Sequence, residues 1–177
     1  MGGDGCSSDC RKEFRLVFVT NETFAADFGG SQGADDKCQN AATMVGLPGV
    51  FRAWLSTSLQ EPLDDGVFVQ SAVPYRRLDG LQVALNWPDL LDGTLDNPIN
   101  LTETMQFVPG PVCDARAVWT ASFANGVNYG ADEKSCADWT STSGTTTGGN
   151  PSETTSSWSQ GCPLMCGAQA SLYCFEQ

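Results

Sequence analysis

Eight cysteines in a chain with no histidine narrow the possible folds more than any other feature. Thiols at this density are held either by a metal or by each other. A zinc site draws on tetrahedral sets of Cys and His, and only Cys6-x3-Cys10 and Cys162-x3-Cys166 approach its spacings. Disulfides are the expected state, up to four of them, and they imply an oxidising compartment. The 177 residues are enough for one domain with a full core, and a hydrophobic content of 41% with five Trp marks a globular chain. Acidic residues outnumber basic ones 21 to 9, for a formal charge of −12. Such a surface repels nucleic acid, polyanions and anionic lipid, and suits calcium, basic protein patches or simple solubility. No apolar run approaches the roughly 18 residues of a membrane span.

Residues 33–56 carry the clearest pattern. Ala34, Cys38, Ala41, Ala42 and Val45 recur on one apolar helical face, predicting a principal helix over about 33–46. Ser31 is its expected N-cap, Asp35 and Asp36 its acidic first turn, and Gly46 with Pro48 its stop. The period then changes to two: Phe51, Ala53 and Leu55 alternate with Arg52, Trp54 and Ser56, as in a strand with one buried face. A cysteine on the apolar face of the helix suggests that a distant segment is fastened there.

Residues 1–12 read as a tether, with Met1-Gly-Gly-Asp-Gly taken as a start placed after a removed export signal; a lipid-modified Cys before Gly2 would make a surface lipoprotein. Residues 13–177 form the domain. Strands are expected at 14–20, buried on both faces near its end, and at 67–69, 74–78, 81–85, 118–121 and 170–175. Asp79-Gly80 is a hairpin signal, and Asn86, Pro88 and Gly93 frame a helical turn or two. Thr140–Ser159, mostly Thr, Ser and Gly, is expected to be a long surface loop. Asn21-Glu-Thr23 and Asn100-Leu-Thr102 match the N-glycosylation sequon, with chance the competing explanation. Together these elements predict an α+β domain with a mixed, mainly antiparallel sheet, one principal helix and long loops.

The run Gly33-Ala-Asp-x-x-Cys38, then Gly46-Leu-x-Gly49-x-Phe51-Arg52-Ala53-x-Leu55-Ser56, resembles the endostatin family, a variant of the C-type lectin-like fold. Val118-Trp119, Asn125-Gly126, Cys136-x-x-Trp139 and Cys166-x7-Cys174-x-Glu176 extend the resemblance over roughly residues 13–177. Asn86-Trp87, Leu91-Asp-Gly-Thr94 and Asn97-Pro-Ile-Asn100 are similar to exported bacterial members, including leptospiral surface lipoproteins. The resemblance implies disulfides Cys38–Cys174 and Cys136–Cys166. Outside its pattern, Cys6–Cys10 is favoured as a local pair and Cys113–Cys162 as a link between two loops. Endostatin's zinc ligands are histidines, so no zinc site is carried over. Its heparin site uses clustered arginines, and Arg76-Arg77 is the only adjacent pair here.

For calcium, the candidates are Asp89, Asp92, Asp96 and Asn97, with Asp64, Asp65 and Asn100 in reserve; turn and cap roles compete for all of them. No nucleophile–base constellation is legible without histidine, so no catalytic residue is assigned. Trp87, Trp158, Arg76 and Arg77 are the candidate ligand contacts. Trp158 stands out because it lies in the Ser/Thr-rich stretch, where it would either be an exposed anchor or plug the core. The function expected is an exported, non-enzymatic binding or adhesion module of a bacterial surface, with a protein or glycan partner. A structural subunit of a surface appendage, through self-association, is one alternative. A calcium-dependent glycan binder or glycoside hydrolase is the other.

Overall fold

A computed structural model describes residues 12–108, 113, 116–130 and 135–177. Among them, eight strands form one mixed sheet: β1 (Arg15–Val19), β2 (Phe51–Ala53), β3 (Tyr75–Arg76), β4 (Gln82–Ala84), β5 (Val118–Trp119), β6 (Thr145–Gly149), β7 (Cys162–Met165) and β8 (Ser171–Glu176). The order is β4-β3-β1-β8-β5-β6-β7, with β2 also paired to β8. Pairing is antiparallel except for β1 with β3 and β5 with β8. The α+β, mainly antiparallel expectation therefore holds.

Strand β8 is the axis of the sheet, and every residue in it is buried. Its pleat sends alternate side chains to opposite faces. Leu172 and Cys174 join a core with Phe18, Phe51, Trp119 and Trp139, while Tyr173 and Phe175 join a second core with Val17, Val19, Trp54 and Trp158. Strand β1 is thus buried on both faces, as its sequence suggested. Trp54 is the hub of the second core, with its ring centroid 5.2–6.1 Å from those of Phe68, Trp87, Trp158 and Phe175.

Helix α1 (Gly30–Met44) packs Ala34, Cys38 and Ala42 into the first core. It starts earlier than expected. Gly29 and Gly30 both take positive φ, 89° and 88°, a conformation open to glycine, and the Gly29 N–H donates to the Trp139 carbonyl. Ser31 consequently lies inside the first turn and does not cap it, and Asp35 and Asp36 fall in the second turn. Asp35 has a different task. Its carboxylate accepts the Ala53 N–H at 2.9 Å, and the side-chain amide oxygen of Gln39, Oε1, accepts the Phe51 N–H at 3.0 Å. Residues one helical turn apart thus match strand residues two apart, and the helix covers the backbone edge of β2.

Three disulfides join described residues: Cys38–Cys174, Cys113–Cys162 and Cys136–Cys166. The first ties the inner face of α1 to β8. Cys6 and Cys10 lie outside the described residues, as does the rest of the expected tether except Lys12, which pairs with the buried Glu176.

Other expectations need correcting. Residues 67–69 form no strand; Phe68 makes only an isolated bridge with Asp65. The 140–159 stretch is not a loop over the surface. Thr145–Gly149 is an interior strand, followed by a 3-10 turn at Ser156–Trp158 that is folded onto the sheet. A Cβ on Gly149 would lie 1.9 Å from the Trp158 carbonyl oxygen, and one on Gly148 2.4 Å from that of Val118. These glycines are required by close backbone approach rather than by flexibility. The Asp79-Gly80 hairpin joins β3 to β4 as predicted, and Asn86 caps the short helix α2 (Trp87–Leu90) by accepting the Asp89 N–H.

Candidate functional site

Strand β6 supplies the floor of a groove of about 410 Å³, lined by Tyr129, Thr145, Thr146, Thr147, Gly161 and Pro163. Pairing to β7 holds the threonines along one edge, while β5 pairs only with Gly148 and Gly149 further along the strand. The wall comes from residues 121–129. The Ala121 N–H donates to the Thr147 carbonyl at 3.1 Å, and the Ala121 carbonyl accepts the Tyr129 N–H at 2.9 Å. A short backbone relay therefore sets Tyr129 against the strand. The Phe123 N–H donates to the Val127 carbonyl and Gly126 takes φ 81°, which closes the intervening turn. Phe123 and Tyr129 come together as a ring pair, centroids 5.0 Å apart, and Phe123 is 36% exposed.

The chemistry of this lining is distinctive for so acidic a chain. Hydroxyls, backbone and rings line it, and none of the described lining residues carries a charge. Other hollows differ. One includes Arg52, a second Glu22, Lys37 and Glu103, and a third Asp138. A cleft of about 370 Å³ at Gln70, Ser71, Ala72, Asn86, Trp87 and Pro88 is also uncharged, but Trp87 is only 5% exposed there. Volumes of a few hundred Å³ are in the range that holds small ligands.

The residues singled out from the sequence fare unevenly. Trp158 is fully buried, packs on Trp54 and Tyr173, and its carbonyl accepts the Tyr173 hydroxyl; it plugs the core and is no exposed anchor. Arg77 is not available to a ligand either. It is 4% exposed, pairs with Asp79, donates to the Pro98 carbonyl and the Asn100 side chain, and lies over the Phe107 ring. Its neighbour Arg76 lies over Phe14. Adjacent strand residues point to opposite faces, so the two arginines form no joint basic patch.

The calcium candidates carry turn and cap contacts. Asp89 accepts the Leu85 N–H, Asp92 the Thr94 N–H and hydroxyl, and Asp96 the Gln82 amide, while Asn97 donates to the Gln82 carbonyl. Asp64 accepts the Glu61 N–H, and Asp65 accepts from the Gln70 amide. Among the described residues no three acidic, Cys or His side chains gather as a metal-holding group.

Strong perturbations of acidity belong to scaffold groups. Burial pushes the Tyr75 hydroxyl up to about 12 and also holds that of Tyr173 well above its ordinary value. Burial also raises Asp35, against the Ala53 N–H and the Arg52 charge that favour its ionised form. The Arg77 guanidinium holds Asp79 low. Burial acts to raise Asp138, but donors from Ser58 and Ser135 outweigh it and leave the group low. Asp138 lies in an unusual element: Cys136, Ala137, Asp138 and Trp139 all have φ between 52° and 65°, one left-handed helical turn. Such geometry costs about 1–2 kcal/mol per non-glycine residue. The Cys136–Cys166 bond, the Trp139 indole donating to the Ser56 carbonyl, and the Asp138 contacts hold it.

The groove escaped the sequence reading because its residues come from three separate segments with no shared period. The one available signal was the Thr145-Thr-Thr147 run, which suits a strand by its β-branching. Comparison with models of known protein families and with curated proteins finds no match. Among the described residues no helix is long and apolar enough to cross a membrane.

Proposed function

We propose that the chain is an exported, non-enzymatic binding domain of a bacterial surface, built on an endostatin-like variant of the C-type lectin-like fold. The two disulfides that the resemblance implies, Cys38–Cys174 and Cys136–Cys166, are both formed, which supports the family reading. So does the central antiparallel pairing of β1 with β8, which brings the two ends of the domain together. Three disulfides among the described residues fit an oxidising compartment.

The observation that carries the binding role is the groove along β6, whose described lining residues carry no charge and include Tyr129, ring-paired with Phe123. A preorganised site of this kind recognises by shape and hydrogen bonding. The carboxylates reached by the sequence argument are committed to caps, turns and edge contacts, where they build the scaffold.

The test is to pass the disulfide-intact protein over immobilised matrix proteins, serum proteins and glycans. Saturable retention of at least one class, without turnover, is expected. No retention on any surface, or release of a cleaved product, would overturn the reading.

A further inference from the structure

We propose that Asn21 accepts an N-linked glycan when the chain is exported across a membrane that carries the donor, and that Asn100 does not. This goes beyond the binding-domain reading and depends only on export. Asn21-Glu-Thr23 and Asn100-Leu-Thr102 are equivalent as sequences. An N-linked glycan needs the asparagine amide and the hydroxyl two residues on, presented at the surface. The fold separates the two motifs.

Asn21 lies at a corner of the chain. The Thr20 N–H donates to the Leu172 carbonyl and the Phe24 N–H to that of Ala170, so the chain leaves β1 and returns to the sheet at Phe24. Residues 21 and 22, between these two anchors, are exposed. The corner itself is fixed: the Asn21 N–H donates to the Glu103 carboxylate at 2.8 Å, and the Asn21 carbonyl accepts from the Arg116 guanidinium at 3.1 Å. Among the described residues, neither the Asn21 side-chain amide nor the Thr23 hydroxyl has a hydrogen-bond partner. A hollow of about 390 Å³, bordered by Asn21, Phe24, Asn40 and Met44 among others, leaves room for the first sugar.

Asn100 is bound into the fold instead. Its Oδ1 accepts the guanidinium of the buried Arg77 at 2.5 Å. Thr102 is 1% exposed, and its hydroxyl is bonded to the Thr104 hydroxyl and the Gln106 N–H. In the folded chain the Thr102 hydroxyl is out of reach, and a sugar on the Asn100 amide would crowd the Arg77 contact.

The co-reactant is an oligosaccharide carried on a polyprenyl diphosphate. The Asn21 Nδ2 forms a bond to the anomeric carbon as the bond from that carbon to the diphosphate oxygen breaks. The amide nitrogen gives up one proton, and the polyprenyl diphosphate leaves with the electron pair.

The experiment secretes the chain from a eukaryotic host and takes the disulfide-intact product for intact mass and peptide mapping, before and after peptide:N-glycosidase. Wild type is compared with Asn21→Gln, Thr23→Ala and Thr23→Ser, with near-ultraviolet circular dichroism confirming each fold. Expected is an oligosaccharide on wild type and Thr23→Ser that the enzyme removes, converting Asn21 to aspartate. Asn21→Gln and Thr23→Ala should lose it completely, with Asn100 unmodified throughout. Wild type secreted without a glycan, a glycan on Asn100 in folded material, or a glycan that survives Thr23→Ala would each overturn the inference. Each of those results leaves the binding-domain reading standing, because retention on immobilised partners tests that separately.

Discussion

Removing the Cys38–Cys174 bond by the double substitution Cys38→Ala and Cys174→Ala tests the scaffold most sharply. The bond joins residues 136 apart in sequence, so in the chain-entropy relation it takes about 5 kcal/mol of freedom from the unfolded chain. The same relation gives about 3.6 kcal/mol for Cys136–Cys166, whose separation is 30. Both sulfurs of the longer bridge are fully buried between α1 and β8, so truncation to alanine also removes packing from the first core. A loss of about 5 kcal/mol corresponds to a melting temperature lower by about 10–20 °C for a domain of this size. Guanidinium unfolding followed by tryptophan fluorescence would read the change, with mass spectrometry confirming that the other bonds stay intact. A loss under about 1 kcal/mol would refute the argument that this bridge clamps helix to sheet.

Asp35 provides a test with a sign. Its folded pKa is raised above 3.8, so its ionisation at neutral pH works against the folded state. Asp35→Asn keeps an acceptor for the Ala53 N–H; it should equal or exceed wild type in stability at pH 7, with the advantage vanishing as pH falls below 3.8 in urea titrations. Asp35→Ala should instead lose about 1–3 kcal/mol, because the strand-edge N–H is left unpaired. Gly149→Ala should destabilise by about 3 kcal/mol or more, since the added carbon meets the Trp158 backbone at 1.9 Å; differential scanning calorimetry would detect it. Arg77→Met should lower stability by about 2 kcal/mol in urea unfolding, less than for a fully buried pair because Asp79 stays 25% exposed.

Local periodicity made several elements legible before any coordinates. The apolar stripe of Ala34, Cys38 and Ala42 marks the inner face of α1, Asp79-Gly80 marks the β3–β4 turn, and Asn86 marks the cap of α2. What failed was decided by distant contacts. Ser31 looks like a cap, but the Gly29 bond to Trp139 starts the helix before it. Gly148 and Gly149 read as loop residues by composition, yet their lack of a side chain admits the Val118 and Trp158 backbones. Nothing about Cys136-Ala-Asp-Trp139 signals a left-handed turn, because Ala, Asp and Trp enter that region only when surrounding contacts hold them there. Arg76 and Arg77 are neighbours in sequence and opposites across the sheet. The groove, assembled from residues 129, 145–147, 161 and 163, depends entirely on strand order.

The most direct test of the account is an NMR titration with a soluble form of the matrix protein, serum protein or glycan retained best on the immobilised surfaces. Binding in the groove predicts shifts centred on the amides and methyls of Thr145, Thr146 and Thr147, the Tyr129 ring and the Gly161 amide, with the Trp87 cleft unchanged. Shifts centred instead on Gln70, Ser71 and Trp87, or no shift anywhere at saturating ligand, would contradict it.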